Sequence, residues 1–355
     1  MAGNPCAHRD EVSRHPCFPG ARTAGWIHTG FPQDRKSPII GGGRSMTGTT
    51  SSKHDRELTV EQIQQRFDEA GFVCSPEVAT ALFLSERLGR PLLLEGPPGV
   101  GKTEIGKLWA KFHDAPLVRL QCYEGLDETR ALYEWSYGKQ MLYTQLVKEK
   151  VGELLRDTGD LKSALGALKG QADEFFSKDF LLPRPLLLVL TSERPSVLLI
   201  DEIDRSDEEF EAFLLEVLSD AQVSIPELGT IRARHPLRAI LTSNDTRELS
   251  DALRRRCLYL HVDYPGPEQE AMILRRRVPG LDEELARRVV RFVQGLRRSD
   301  LRRAPGISEV VDWGLALLAV GASGLSREAL ASTIGALLKN RDDVERVLSD
   351  PGRYK

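Results

Sequence analysis

The chain has 355 residues, a formal net charge of −3, and 41% apolar and 28% charged residues, the profile of an ordinary globular protein. That length allows one large domain with an appendage, or two modest ones. Near-neutral charge gives no global pull toward nucleic acid or an anionic membrane surface. No run of about 18 apolar residues is present to span a bilayer, and Met1–Gly30 carries Pro, His, Arg and Asp in place of a secretory leader's apolar core. The five cysteines are far apart with no C-x-x-C pair, so reduced thiols and a cytoplasmic setting are expected.

Residues 1–55 are rich in Gly, Pro, Ser, Thr, Arg and His without apolar periodicity. Such a segment cannot bury enough surface to offset its ordering entropy and is expected to be a disordered tail; a translation start at Met46 would remove most of it. Cys6, His8, His15 and Cys17 form a mirrored quartet of zinc-type ligands, but their flanks show no fold to hold a tetrahedral site, and no metal is expected there. Thr59 with Gln62 predicts a capping box for a helix running through Ala70. Ser75, followed by Pro76 in the first helical position, predicts a second helix that stops at Gly89.

Pro91–Leu94 then leads into a glycine-rich loop and a helix over about 101–113. Leu117–Cys122, Val197–Ile200, Ala239–Leu241 and Leu258–Val262 read as further strands, the first of them buried. Short apolar runs alternating with helical spacing predict an α/β core over 56–265, a parallel sheet sandwiched by helices. Residues 148–194 are mostly helical in spacing and read as an insertion into that frame. From 266 to 348 all spacing is helical, broken at Pro279-Gly280, Pro305-Gly306 and 321–324. This predicts a small all-helical lid, with 349–355 as a tail.

Gly96-Pro97-Pro98-Gly99-Val100-Gly101-Lys102-Thr103 fits G-x-x-x-x-G-K-[ST] in strand–loop–helix context. Its glycines let successive backbone N–H groups turn toward phosphate oxygens, and the following helix adds its positive end. Lys102 is then placed for the β- and γ-phosphates of ATP, and the Thr103 hydroxyl for Mg2+. The strand Val197–Ile200 delivers two adjacent carboxylates: Asp201 to hold the Mg2+ shell, and Glu202 to orient and deprotonate the attacking water. Asp204 and Asp207 read as local capping and solvation, and Ser206 with Glu209 as a capping box for the next helix. Asn244 offers an amide to hold the water opposite Glu202, the alternative being a plain Asn/Asp turn. Arg254, Arg255 and Arg256 form a solvated basic edge, a nucleic-acid contact, or an arginine finger for a neighbouring subunit's γ-phosphate.

Together GPPGVGKT, VLLIDEID, TSND and ALRRRC resemble the motifs of AAA+ ATPases, specifically the MoxR branch. Residues 119–127, 133–135, 204–216 and 225–231 are similar to CoxD-type members, and the resemblance covers about Leu58–Asp343. It implies an AAA+ P-loop NTPase fold and an oligomeric, hexameric ring that hydrolyses ATP and acts as a chaperone. In the CoxD type the client is a molybdenum hydroxylase whose metal site is matured, with work often shared with a von Willebrand A-domain partner. Carried onto this chain, the resemblance makes Asn244 sensor 1 and Arg256 the finger, with Arg255 second. It makes Val223–Ala233 a client-facing β-hairpin, and Tyr123–Tyr143 either another such surface or an aromatic patch packing the insertion. Ala304–Glu309 departs from the sensor 2 pattern, with a carboxylate where a guanidinium is sought, leaving Arg302 or Arg303 to substitute.

Two other functions compete. A nucleic-acid motor would use the basic stretch Arg287–Arg303, yet Val289, Val290, Phe292, Val293 and Leu296 give it an apolar face and assign the arginines to its wet side. A nucleotide-gated scaffold without turnover has no chemical need of Glu202.

Overall fold

The computed structural model describes residues 58–139, 141–142, 145, 181–225 and 229–354. The expectations for the tail, for the Cys6/His8/His15/Cys17 quartet and for most of the insertion lie outside them.

Local chemistry sets the first elements. The Thr59 hydroxyl accepts from the Gln62 N–H, and the Gln62 side chain accepts from the Thr59 N–H, opening α1 (Val60–Glu69). Ser75 caps α2 (Pro76–Leu88), which ends on Gly89 at φ 60°. The chain continues through β1 (Leu92–Glu95), α3 (Lys102–Phe112), β2 (Leu117–Gln121), α4 (Glu128–Leu132) and β3 (Tyr133–Trp135). After the insertion come β4 (Leu181–Pro183), α5 (Pro185–Thr191), β5 (Val197–Asp201), α6 (Glu208–Asp220), β6 (Gln222–Ile225) and β7 (Gly229–Arg232). The core closes with β8 (Arg238–Ser243), α7 (Asp251–Arg256) and β9 (Leu258–His261).

Five of these strands form one parallel sheet in the order β2-β5-β8-β1-β9. Every residue of β1 and β5 is buried, as expected of strands covered on both faces. Successive side chains face opposite layers. Leu92, Leu94, Val197 and Leu199 meet Ile63, Phe67, Leu82, Ile105 and Trp109 on one side. Leu93, Leu198 and Ile200 meet Leu186, Leu190, Phe210, Leu214 and Leu253 on the other. The sheet corrects one expectation: Leu117–Cys122 is not a buried strand. β2 lies at an edge, and within it only Leu120 is buried. Apolar content alone does not distinguish a central strand from an edge strand.

Two small ribbons flank the sheet. β6 and β7 pair antiparallel, Val223 opposite Ile231, as the hairpin expected around Pro226 and Gly229. β3 pairs antiparallel with β4, Trp135 opposite Leu181, so the described end of the insertion begins as a strand where helical spacing was expected. Three residues are too few to show a period. Tyr133 and Trp135 pack edge to face at 5.7 Å and sit against the core, while Tyr123 and Tyr137 are exposed.

The C-terminal part is helical: α8 (Pro267–Arg277), α9 (Glu283–Arg297), α10 (Ile307–Ala319), α11 (Arg327–Leu337) and α12 (Arg341–Ser349). They enclose a separate apolar cluster around Phe292, Trp313 and Ile334, and the Trp313 indole donates to the Thr333 hydroxyl at 2.9 Å. One arginine of α9 does not lie on the wet side. Arg297 is one turn beyond Val293, on the buried face. Its Nη1 and Nη2 donate to Glu270 at 2.9 and 2.7 Å, and its Nε to the Pro305 carbonyl at 2.9 Å. Beyond 348, where a tail is expected, Tyr354 is buried against Phe292. No described helix is long and apolar enough to cross a membrane.

Candidate nucleotide site

β1, β5 and β8 end side by side, and the crevice outside the carboxyl ends of an open parallel sheet is where such folds bind ligands. The loop leaving β1 turns on three glycines of positive φ: Gly96 at 150°, Gly99 at 77° and Gly101 at 103°. At Gly96 a Cβ would lie 2.1 Å from the Val262 carbonyl oxygen, and at Gly99 it would lie 2.9 Å from the Gly306 Cα. Those two close approaches, together with φ, require glycine.

The loop wraps around Lys102, the first residue of α3. Its ammonium donates to the carbonyls of Gly96 and Pro97 at 2.7 Å each, and to Asn244 Oδ1 at 2.9 Å. Burial pushes its pKa down to about 8, against the pull of Asp204, Asp201, Glu202 and Glu95. Val100 is buried beside it, whereas Pro98 and Gly99 are exposed.

Asp201, at the end of β5, has a side chain only 3% exposed. Its Oδ1 accepts from the Thr103 hydroxyl at 2.9 Å and from the Thr242 hydroxyl at 2.5 Å. Its Oδ2 accepts from Arg119 Nε and Nη2 at 3.1 and 2.5 Å. Glu202 adopts left-handed φ of 58°, a conformation that costs a non-glycine residue about 1–2 kcal/mol. Its N–H donates to Thr242 Oγ1 at 2.9 Å. Its Oε2 accepts from Gln121 at 3.1 Å and pairs with Arg205 at 3.0 Å.

Thr103 and Asp201 fit Mg2+, a hard cation that takes one or two protein oxygens and keeps several waters. No group of three or more His, Cys, Asp or Glu side chains among the described residues forms a self-sufficient metal cage. A cleft of about 620 Å³ lies between this loop and the helical region, lined by Phe72, Val78, Tyr264, Ile307 and Val311 among others.

Two readings of the acidic stretch change, and the capping reading of Asp207 holds. Asp204 is buried, not solvated: its Oδ2 accepts from the Thr246 N–H and hydroxyl at 3.1 and 2.5 Å. Asp207, not Ser206, caps α6, accepting from the Phe210 N–H at 2.8 Å. The Ser206 hydroxyl instead donates to the Ile203 carbonyl at 2.8 Å, closing a short 3-10 turn over 203–205.

The three arginines have different environments. Arg254 Nη2 donates to the buried Glu95 at 3.0 Å, and the Tyr259 hydroxyl donates to the other oxygen of that carboxylate at 3.0 Å. Arg256 Nε donates to Ser219 Oγ at 2.5 Å. Arg255 is exposed. At the N-terminus of α7, fully buried Glu211 accepts from the Ser250 N–H at 2.8 Å and pairs with Arg247. At its C-terminus, Arg90 donates to the carbonyls of Arg255, Arg256 and Cys257.

Neither sensor 2 substitute is drawn to the loop. Arg302 pairs with Asp342 at 2.7 Å and Arg303 with Glu309 at 3.4 Å. The helical region touches the loop through its backbone, where the Ile307 N–H donates to the Gly99 carbonyl at 2.9 Å. Sequence reasoning passed over Thr242, Arg119 and Gln121. Thr242 is a buried hydroxyl closing an apolar strand, and the polar residues of β2 alternate with Val118 and Leu120.

Residues 91–257 match the family model described as AAA domain (dynein-related subfamily). Two relatives align with most of the chain. The gas vesicle ATPase GvpN of Haloferax mediterranei is 27% identical over 326 residues, 86% of this chain and 85% of that protein. GvpN2 of Halobacterium salinarum is 26% identical over 331 residues, 84% of this chain and 87% of that protein. The RuvB Holliday junction branch migration motor of Thermotoga maritima, 18% identical, aligns with 79% of this chain and 71% of its own at a TM-score of 0.42. The family match takes in the glycine loop, the acidic end of β5, Asn244 and all three arginines. Residues 91–257 thus match an AAA domain on a P-loop NTPase sheet, and the chain is an ATPase.

Proposed function

We propose that this chain is one subunit of a hexameric MoxR-type ring, a cytoplasmic chaperone that couples ATP hydrolysis to remodelling of a client protein.

 Support comes first from one convergence: Lys102, Thr103, Asp201, Glu202 and Asn244 meet at the carboxyl ends of β1, β5 and β8. In this reading the loop Gly96–Thr103 cradles the phosphates of ATP with backbone N–H groups, and Lys102 neutralises their charge. Thr103 and Asp201 would hold Mg2+, which would supply further positive charge to the phosphates. Glu202 accepts the proton of the attacking water, whose oxygen bonds to the γ-phosphorus as the bond to the bridging oxygen breaks, giving ADP and phosphate. Asn244 orients the water from the other side.

Arg254 is engaged with Glu95 within the chain, and the resemblance makes Arg256 the finger offered to a neighbour, with Arg255 second. The β6–β7 hairpin is assigned as the client-facing element. The stretches 119–127, 133–135, 204–216 and 225–231 support a molybdenum hydroxylase as client, with a von Willebrand A-domain protein as partner. The two gas vesicle ATPases among the relatives favour a second reading, a client belonging to gas vesicles. Neighbouring genes separate the two: a molybdenum hydroxylase beside a von Willebrand A-domain protein is the expected finding, and gas vesicle structural genes in their place would transfer the assignment.

Glu202→Gln is expected to keep ATP binding while turnover drops by at least about 100-fold, the scale of a lost general base; unchanged hydrolysis in a phosphate-release assay would remove Glu202 from that role. Mixing Arg256→Ala subunits with Lys102→Ala subunits is expected to restore part of the activity that each lacks alone. If Arg255→Ala complements and Arg256→Ala does not, the finger is Arg255; rescue by neither rejects an arginine acting between subunits. The Lys102 ammonium sets a pH dependence. Below about 8 it is charged in the free protein, and affinity for a fluorescent ADP analogue should be flat with respect to this group. Above that value binding a polyanion requires proton uptake, so the dissociation constant should rise by up to about tenfold per pH unit. Lys102→Arg, charged throughout, should abolish the rise.

A further inference from the structure

β2 is an edge strand, and its alternate residues Arg119 and Gln121 share one face. Both reach over the end of the neighbouring β5. Arg119 places two N–H donors on Asp201 Oδ2, and its Nη2 also donates to Gln121 Oε1 at 2.6 Å. Thr103 and Thr242 place two hydroxyl donors on Oδ1. Four donors saturate the acceptor capacity of a carboxylate, and the guanidinium neutralises its charge. Asp201 therefore cannot hold the shell of a hydrated dication until a donor leaves, and a guanidinium bound to the same oxygen repels one.

The donor that leaves can be identified from exposure. Thr242 is 1% exposed and sits within the sheet, and Thr103 belongs to the helix that carries Lys102. The Arg119 side chain is 48% exposed; water can solvate it on release, and its long stem needs no backbone movement. Partly exposed ion pairs are weak enough to break.

We propose that Arg119 is a positioning residue that occupies the cation position at Asp201 and must release that carboxylate for Mg2+ to be held, so that it sets the Mg2+ concentration at which nucleotide is gripped. The proposal rests on the reading of Asp201 as the metal-holding carboxylate.

The test is an Mg2+ titration, starting from EDTA, of a fluorescent ADP analogue on the full chain. Arg119→Gln is expected to lower the Mg2+ midpoint about three- to tenfold, the scale of one partly screened charge. Arg119→Lys, which keeps the charge, should stay within about twofold of wild type. A midpoint unchanged or raised in Arg119→Gln overturns the proposal. If thermal melting shows that variant unfolded, Arg119→Met, which keeps the stem, takes its place under the same criterion. Wild type that binds nucleotide with no dependence on Mg2+ removes the underlying reading of Asp201, a result distinct from a variant that merely matches wild type.

Discussion

The Asp201 carboxylate is a charge buried at the end of a strand whose five residues are all inaccessible. A carboxylate in that position, left without partners, would cost several kcal/mol. Its partners come from three other elements: Thr103 from α3, Thr242 from β8 and Arg119 from β2. One charge thus ties the helix after the glycine loop to three strands of the sheet. The neighbouring groups follow from it. Lys102 precedes Thr103 on the same helix, so its ammonium is brought under the loop carbonyls and against Asn244. Glu202 follows Asp201, and Thr242, already bound to the carboxylate, accepts the Glu202 N–H and helps hold its left-handed backbone.

The helical region engages the same loop by a different means. Gly99 and Gly306 approach so closely that a Cβ on either would come within 2.9 Å of the other's Cα, and the Ile307 N–H donates to the Gly99 carbonyl. This is contact between two backbones, with no guanidinium involved. Arg302 pairs with Asp342, and Arg303 pairs with Glu309. The carboxylate at Glu309, the departure from the expected sensor pattern, lies near the same glycines, its Oε2 3.5 Å from where a Gly99 Cβ would be. Communication between loop and helical region therefore has a direct backbone route, and displacement of the glycine loop acts on the first turn of α10.

Local features of this fold were legible because each is set within a few residues. The Thr59–Gln62 box and the Ser75–Gly89 helix need only their own side chains and a glycine able to take positive φ. The loop Gly96–Thr103 and the acidic end of β5 were legible for the same reason. What escaped depends on partners far away in the chain. Glu95 and Arg254 are separated by 159 positions, Arg119 and Asp201 by 82. Asp204 and Asp207 both look like capping residues in sequence, and only the fold buries one of them beneath Thr246. β2 looks as apolar as a central strand, and only the strand order places it at an edge.

The arginine run shows what such distant partners do. Three identical side chains in succession give one undivided signal in sequence, yet helix geometry turns each about 100° from the last, and each meets different chemistry. Arg254 is directed inward to Glu95, the residue immediately before Gly96, so α7 is joined to the stem of its own nucleotide loop. Arg256 lies along the surface to Ser219 at the end of α6, and Arg255 faces outward. The helix that carries them is held at one end by Glu211 and at the other by Arg90. Glu211 in turn belongs to α6, which follows directly from the acidic turn after Asp201. Any shift of the glycine loop or of that turn is therefore transmitted to α7 by charged contacts at both faces of the site. The exposed Arg255 and Arg256 at its C-terminus thus lie at the end of a continuous charged route from the site.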